Sequence, residues 1–397
     1  MDIPISESEA VTSEELLARA RSLLPALRER ASKTDAERRV PDETIEDFRR
    51  AGFLRLLTPR AYGGLEMTTL DQINISMELA ASCGSSAWVF SLLCEHNWLI
   101  AMYPKDAQDE IWGDDPNRVA SSSLAPNGEA TRVNGGLRLT GRFPFSSGCD
   151  HVEWVILGGM VHDGPAQEAW LFLVPRAEVA IHDDWFVIGL RGTGSKTIVC
   201  EDVFIPEYRA LRTADVVNAR GPGRGLHADF LQLCMPRDGI AGFTHISASV
   251  GMAQGAVDTF IELARGHRRR GGSIANSGPI QMKLSESAAE VLSAKLLLRN
   301  AVSEELALVA RGEFPTREDI ARHQRDGAFA SLLSMHAIDR LHTAYGARGI
   351  FDDNPLSRYF RDIHAAVAQF SQAWDFRALP YARIAMGQDP ATAFSSE

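Results

Sequence analysis

Hydrophobic periodicity changes character twice along this 397-residue chain, and the order of the changes restricts the fold more than any single motif. From about Ser13 to Trp112, apolar residues recur at helical spacing. Thr12 or Ser13 opens a helix with Leu16, Leu17, Ala20, Leu23, Leu24 and Leu27 on one face. Pro41 falls at the first turn of the next helix, whose stripe is Ile45, Phe48 and Ala51, and Gly52 closes it. Tyr62-Gly63-Gly64 reads as a turn, and Thr69 as the cap of a long apolar helix over 70–82. From about Val119 to Ala210 the pattern shortens to β runs at 137–140, 154–157 and 170–174. Gly135-Gly136 and Asp163-Gly164 punctuate them as hairpin turns, which suggests a small barrel or sandwich. From about Gly239 to Ala385 helical spacing returns, with cores at 246–265, 280–310, 317–344 and 358–385. Long helices with short breaks predict an antiparallel four-helix bundle. The glycine-rich run at 221–225 reads as a mobile loop. The expected class is mainly α with a central β domain: an N-terminal helical domain over 1–116, the β domain over 117–210, a linker over 211–238 and the bundle over 239–397.

Charge and cysteine usage narrow the function. Lys+Arg is 41 against 52 for Asp+Glu, a net charge of −11, so the chain has no overall attraction for nucleic acid or anionic membrane. The acidic N-terminus lacks the apolar core of a signal peptide, and no run is long and apolar enough to span a bilayer. Five cysteines without CxxC spacing fit a reducing cytoplasm and form neither a disulfide framework nor a metal site. GxSxG, HExxH and P-loop signatures are missing, and Gly221-x-Gly223-x-Gly225 is not a dinucleotide fingerprint.

Helices, then a β module, then a bundle is an uncommon order, and it resembles the acyl-CoA dehydrogenase superfamily over nearly the whole chain. The segment 52–57 with Ala61-Tyr62-Gly63-Gly64, the run Gly189-Leu190-Arg191-Gly192-Thr193-Gly194-Ser195, the stretch 201–206 and the pair Arg361-Asp362 carry the resemblance. Two departures matter. The superfamily's Thr-Glu-Pro-Gly type loop is replaced by Ser121-Ser122-Ser123-Leu124-Ala125-Pro126-Asn127-Gly128. Asp353 stands where dehydrogenases place their catalytic glutamate, one methylene short of a substrate α-carbon.

The replaced segments resemble a sister group, the oxygenase components of two-component flavin monooxygenases. The run Ser146-Ser147-Gly148-Cys149-Asp150-His151 and Arg361-Asp362-Ile363-His364 carry this second likeness. It implies reduced FAD or FMN as cofactor, O2 as co-substrate added at flavin C4a, and a small aromatic substrate, a phenol or indole-type ring. It also implies a separate NAD(P)H:flavin reductase and a homotetramer or homodimer. The same resemblance makes His96, Ser122, Ser147 and His364 the catalytic candidates. Ser147 would stand near flavin N5, with Ser146 as the neighbour most easily confused with it. His364 or His96 would share the substrate proton, which suits an imidazole because its ordinary pKa is near neutral. Ser122 would hydrogen-bond substrate or flavin. Further cofactor contacts expected from the resemblance are Trp185, Thr193, Ser195 and, from a neighbouring subunit, Arg268 and Gln281. Arg237 is a weaker candidate of the same kind. The rival readings are an N- or S-oxygenase on the same scaffold, an acyl-CoA dehydrogenase, and a non-catalytic flavin-binding protein.

Overall fold

The computed structural model describes residues 11–163, 166–239, 242–266, 268–269 and 272–390. Five helices come first: α1 (Ser13–Glu37), α2 (Asp42–Arg50), α3 (Thr69–Ala80), α4 (Gly84–Ala101) and α5 (Lys105–Trp112). Thr12 caps α1 in a capping box with Glu15. Thr68, one residue earlier than expected, caps α3 in the same way with Asp71. The break at Ser82-Cys83 then starts α4 as a separate helix. Every residue of α4 is buried, so this helix has no solvent face. Whatever polar side chains it carries must find partners inside the protein.

The β layer comprises β1 (Ala120–Val133), β2 (Gly136–Ser146), β3 (Trp154–Asp163), β4 (Ala166–Pro175), β5 (Ala180–His182), β6 (Lys196–Pro206) and β7 (Ala210–Arg212). All seven join one sheet in the order β5-β6-β2-β1-β3-β4-β7. β1 lies at its centre, antiparallel to β2 and parallel to β3. The expected Gly135-Gly136 hairpin joins β1 to β2, whereas Gly164 of the second expected turn lies outside the described residues.

A short helix, α6 (Thr213–Val217), leads to α7 (Phe243–Gly266), a small pair β8 (Arg268–Arg269) and β9 (Gly272–Ser273), then α8 (Gly278–Ala310), α9 (Arg317–Tyr345), α10 (Pro355–Val367) and α11 (Trp374–Ala385). Two expectations change here. The glycine-rich run at 221–225 is anchored at its middle: the buried Gly223 donates its N–H to the Met102 carbonyl at 3.0 Å, and a Cβ on it would lie 2.0 Å from the Ala101 oxygen. The fourth bundle helix, expected unbroken over 358–385, is two helices. Between them the Gln369 side chain captures the Ser371 N–H at 2.6 Å, offering the backbone an alternative to the helical bond. Gln372 is buried in the same break, where Ser249 and Ser331 donate to its Oε1 at 2.7 and 2.8 Å.

Candidate active site

Because α4 is buried on all sides, it carries His96 into the interior, 2% exposed, against the first residues of β1. Its Nδ1 lies 2.7 Å from the Ala120 carbonyl and its Nε2 lies 2.7 Å from Ser122 Oγ. A carbonyl can only accept, so Nδ1 carries the proton and Nε2 accepts from the Ser122 hydroxyl. Burial pushes the His96 imidazole down to about 4, with the Ala120 carbonyl opposing the shift. The ring is therefore neutral around pH 7. Ser122, half-buried, spends its proton on His96 and has only lone pairs left to offer.

Strand alternation sorts three consecutive serines. Ser121 and Ser123 point to the face opposite Ser122. Ser121 Oγ is 2.9 Å from Ser146 Oγ, and Ser123 donates to the Pro144 carbonyl at 2.7 Å. This arrangement separates the two neighbours that were easily confused. Ser146 is fully buried on Ser121, whereas Ser147 begins a different chain. Its Oγ is 2.7 Å from Ser195 Oγ, which is 2.7 Å from Thr193 Oγ1, which donates to the Leu190 carbonyl at 2.8 Å. A register shift in the β2–β6 pairing between Phe143 and Ser146 turns the strand here, and Phe145 takes a left-handed φ of 64°. Its ring is 69% exposed and meets Trp185 edge-on at 6.0 Å.

The turn after Trp185 is fixed from the bundle. The Leu190 N–H donates to Asp362 Oδ1 at 2.6 Å, and a Cβ on Gly189 would fall 1.9 Å from the Arg361 oxygen. Burial raises Asp362 to about 6, against the Leu190 bond. Trp185 Nε1 donates to the same Leu190 carbonyl at 3.2 Å. The exposed Phe145 ring, packed on Trp185, directly precedes the buried hydroxyls of Ser146 and Ser147. An apolar ledge with one polar edge suits a flat ring system whose polar atoms are confined to its rim. These residues fit a flavin isoalloxazine on that ground.

The other expected positions have partners of their own or lie outside the described residues. His364 Nε2 pairs with Asp339 Oδ1 at 2.9 Å, and its ring sits edge-on to Phe360. Among the described residues no hydrogen bond links it to His96, Ser122 or Ser147. Gln281 is exposed at the start of α8 and donates to the Ala275 carbonyl at 3.0 Å. Arg268 occupies β8, but its side chain lies outside the described residues. Asp353 is exposed in the turn before α10. An open hollow of about 520 Å³ on α1, lined by Arg21, Leu24, Pro25, Arg28 and Glu29, contains none of these groups.

Two interior groups were not anticipated. Thr244 at the start of α7 donates to the buried Glu95 at 2.5 Å, and burial raises that carboxyl. The next residue, half-buried His245, stands edge-on to Trp88 at 4.6 Å. Burial pushes it down to about 3, with His96 and Arg377 adding to the shift. The adjacent pairs Glu95-His96 and Thr244-His245 thus face each other across α4 and α7. Histidine next to a polar residue in otherwise apolar helical runs was the available signal.

Family models match both ends of the chain: "Acyl-CoA dehydrogenase, N-terminal domain" at residues 12–114 and "Acyl-CoA dehydrogenase, C-terminal domain" at 243–372. The chain is 34% identical over 388 residues to the p-hydroxyphenylacetate 3-hydroxylase oxygenase component of Acinetobacter baumannii, covering 97% of this chain and 92% of that one. It is 39% identical over 359 residues to the flavin-dependent monooxygenase oxygenase subunit HsaA of Mycobacterium tuberculosis, with 89% and 90% covered. Among solved structures, XiaF from Streptomyces in complex with FADH2 and glycerol superposes with a TM-score of 0.89 at 26% identity, covering 95% of this chain and 96% of that one.

Proposed function

This chain belongs to the oxygenase components of flavin-dependent monooxygenases, built on the acyl-CoA dehydrogenase fold, and we propose that it hydroxylates a small aromatic substrate carrying a phenolic O–H or an indole-type N–H. Reduced FAD or FMN, together with O2, supplies the electrophilic oxygen when bound. A separate NAD(P)H:flavin reductase delivers that reduced flavin, in keeping with the naming of the relatives as oxygenase components. The observation that carries the substrate reading is the direction of the His96–Ser122 bond.

Ser122 can accept but not donate while His96 holds its proton. A phenol or indole N–H complements it; a thioether sulfur, which is only an acceptor, does not. This favours carbon hydroxylation of a proton-bearing ring over S-oxygenation. Magnitude decides how far the proton moves. Transfer from a phenol of pKa about 10 to an imidazole near 4 would cost about 8 kcal/mol. Ser122 and His96 therefore hold and polarise the O–H, and take more of the proton only as positive charge builds on the ring. Ser147 faces the flavin, Trp185 and Phe145 border its ring, and Thr193 and Ser195 support Ser147. His364 is the alternative base: its Nε2 is held by Asp339, which leaves Nδ1 to accept a proton.

The wider cofactor assignment gives Arg268 and Gln281 to a neighbouring subunit's flavin, in a homotetramer or homodimer. Exposed Met282, Leu292 and Leu296 on α8 support such an assembly. The division into three domains and a linker, with boundaries at 116, 210 and 238, is proposed with it. Among the described residues no helix is long and apolar enough to cross a membrane. A dehydrogenase reading is disfavoured by the exposure of Asp353.

The test is anaerobic mixing with reduced FMN or FAD, then an oxygen pulse, with a phenol panel and product mass analysis. The expected result is a protein-dependent delay in flavin reoxidation and a product heavier by one oxygen atom. Reoxidation at the free-solution rate with every phenol unchanged would reject the reading.

A further inference from the structure

The hydroxyl chain behind Ser147 has a direction, and its members can be counted. Ser147, Ser195 and Thr193 are 6%, 5% and 2% exposed, so water does not compete for them. Each hydroxyl has one proton to give. The Leu190 carbonyl can only accept, so Thr193 spends its proton there. The 2.7 Å contact between Thr193 and Ser195 then needs the proton of Ser195. The 2.7 Å contact between Ser195 and Ser147 in turn needs the proton of Ser147. All three bonds coexist only if donation runs from Ser147 to Ser195 to Thr193 to Leu190. The far end cannot swing, because Asp362 holds the Leu190 N–H.

We propose that Thr193 and Ser195 are positioning residues that fix Ser147 as a hydrogen-bond acceptor and thereby make the site prefer reduced over oxidised flavin. The inference rests on the reading that flavin meets Ser147. Reduced flavin carries an N–H at N5, whereas oxidised flavin presents a lone pair there. An outward lone pair on Ser147 accepts from the first and opposes the second. Thr193 and Ser195 do this without touching the cofactor, in contrast to the direct contacts expected from sequence. No bond or electron moves in this step; it is a difference in binding.

Thr193→Val keeps the branched shape and removes the hydroxyl. Ser195 then loses its acceptor, and the Ser147 proton is free to turn outward. The measurement is the Kd for oxidised FMN in air and for dithionite-reduced FMN under anaerobic conditions, repeated with FAD. The wild type is expected to bind the reduced form more tightly. In Thr193→Val the ratio of oxidised to reduced Kd should fall about five- to tenfold, the effect of one hydrogen bond. Thr193→Ser should restore the ratio, which a purely structural role for the side chain would not require. Adding Thr193→Val to Ser147→Ala should change nothing further. If Thr193→Val fails to fold, Ser195→Ala breaks the same link and should lower the ratio equally. An unchanged ratio in a folded Thr193→Val or Ser195→Ala protein would overturn the inference. Equal wild-type affinity for both redox forms would overturn it while leaving the proposed function intact. Wild type that binds neither flavin in either form would overturn both.

Discussion

Two buried histidines, His96 in the α4–β1 contact and His323 in the bundle, are 2% and 0% exposed, yet their pKa values are shifted in opposite directions. His96 is bonded to a carbonyl and a hydroxyl, and burial pushes it down to about 4. His323 on α9 lies 2.8 Å from Glu305 and 3.0 Å from Glu304, both on α8. Burial opposes its charge most strongly, but the bonds to Glu305 and then Glu304 outweigh that and raise it. Glu304, also bonded by Arg322 at 2.6 Å, is held down at about 2. Burial alone therefore does not set the direction of a histidine's shift; the partners do. Neutral partners leave His96 able to share a proton with a ligand. Carboxyl partners on α8 make His323 of α9 a tie between two helices.

Removing the tie should have the largest effect. His323→Leu leaves Glu305 buried without its partner and should cost about 3–5 kcal/mol in urea unfolding. The double change with Glu305→Leu should recover most of that; no recovery would mean that the pair is not what holds α8 to α9 there. His96→Ala should instead act on chemistry, lowering hydroxylation about 10²–10³-fold while reduced-flavin affinity stays within a factor of two to three. Equal losses in both would make His96 structural.

Acidity should separate the two sites next. The unfolded chain protonates a position such as His96 near 6.5, while the folded chain resists until about 4. Stability is therefore intact above that window and falls as pH drops through it, by about 3 kcal/mol at the lower end. His323 runs the other way: its contribution is fully present below about 6.5 and is lost as pH rises through its elevated folded value. Urea midpoints from pH 4 to 9 check this, and His96→Asn should flatten only the acid limb. A smaller effect is expected at Ser147→Ala, a rise of about two- to tenfold in peroxide released per hydroxylation, read by a peroxidase-coupled assay. His364→Ala should change hydroxylation least, by less than about threefold, because among the described residues no hydrogen bond links it to His96, Ser122 or Ser147. A loss as large as that of His96→Ala would return the base to His364.

Much of the frame was legible in the sequence. Periodicities of 3.6 and 2 gave the helical, β and helical succession, and the capping box at Thr12 marks its own helix start. The break in the last helix was not legible, since it depends on the Gln369 side chain capturing a backbone N–H that the apolar stripe does not register. Nor was the confinement of α4, because a run that mixes apolar residues with Ser91, Glu95, His96 and Asn97 does not reveal which neighbours surround it.

The sequence by itself determined that hydroxyls and imidazoles stand at positions 96, 122, 146, 147 and 364. Tertiary structure alone decided which way each proton points. Ser122 meets His96 across 26 positions, Ser147 meets Ser195 across 48, and Asp362 meets Leu190 across 172. A hydroxyl can donate in one direction only once, and that direction is fixed by the acceptor at the far end of the chain of bonds. Such acceptors, the Ala120 and Leu190 carbonyls, are backbone atoms whose role no residue name encodes.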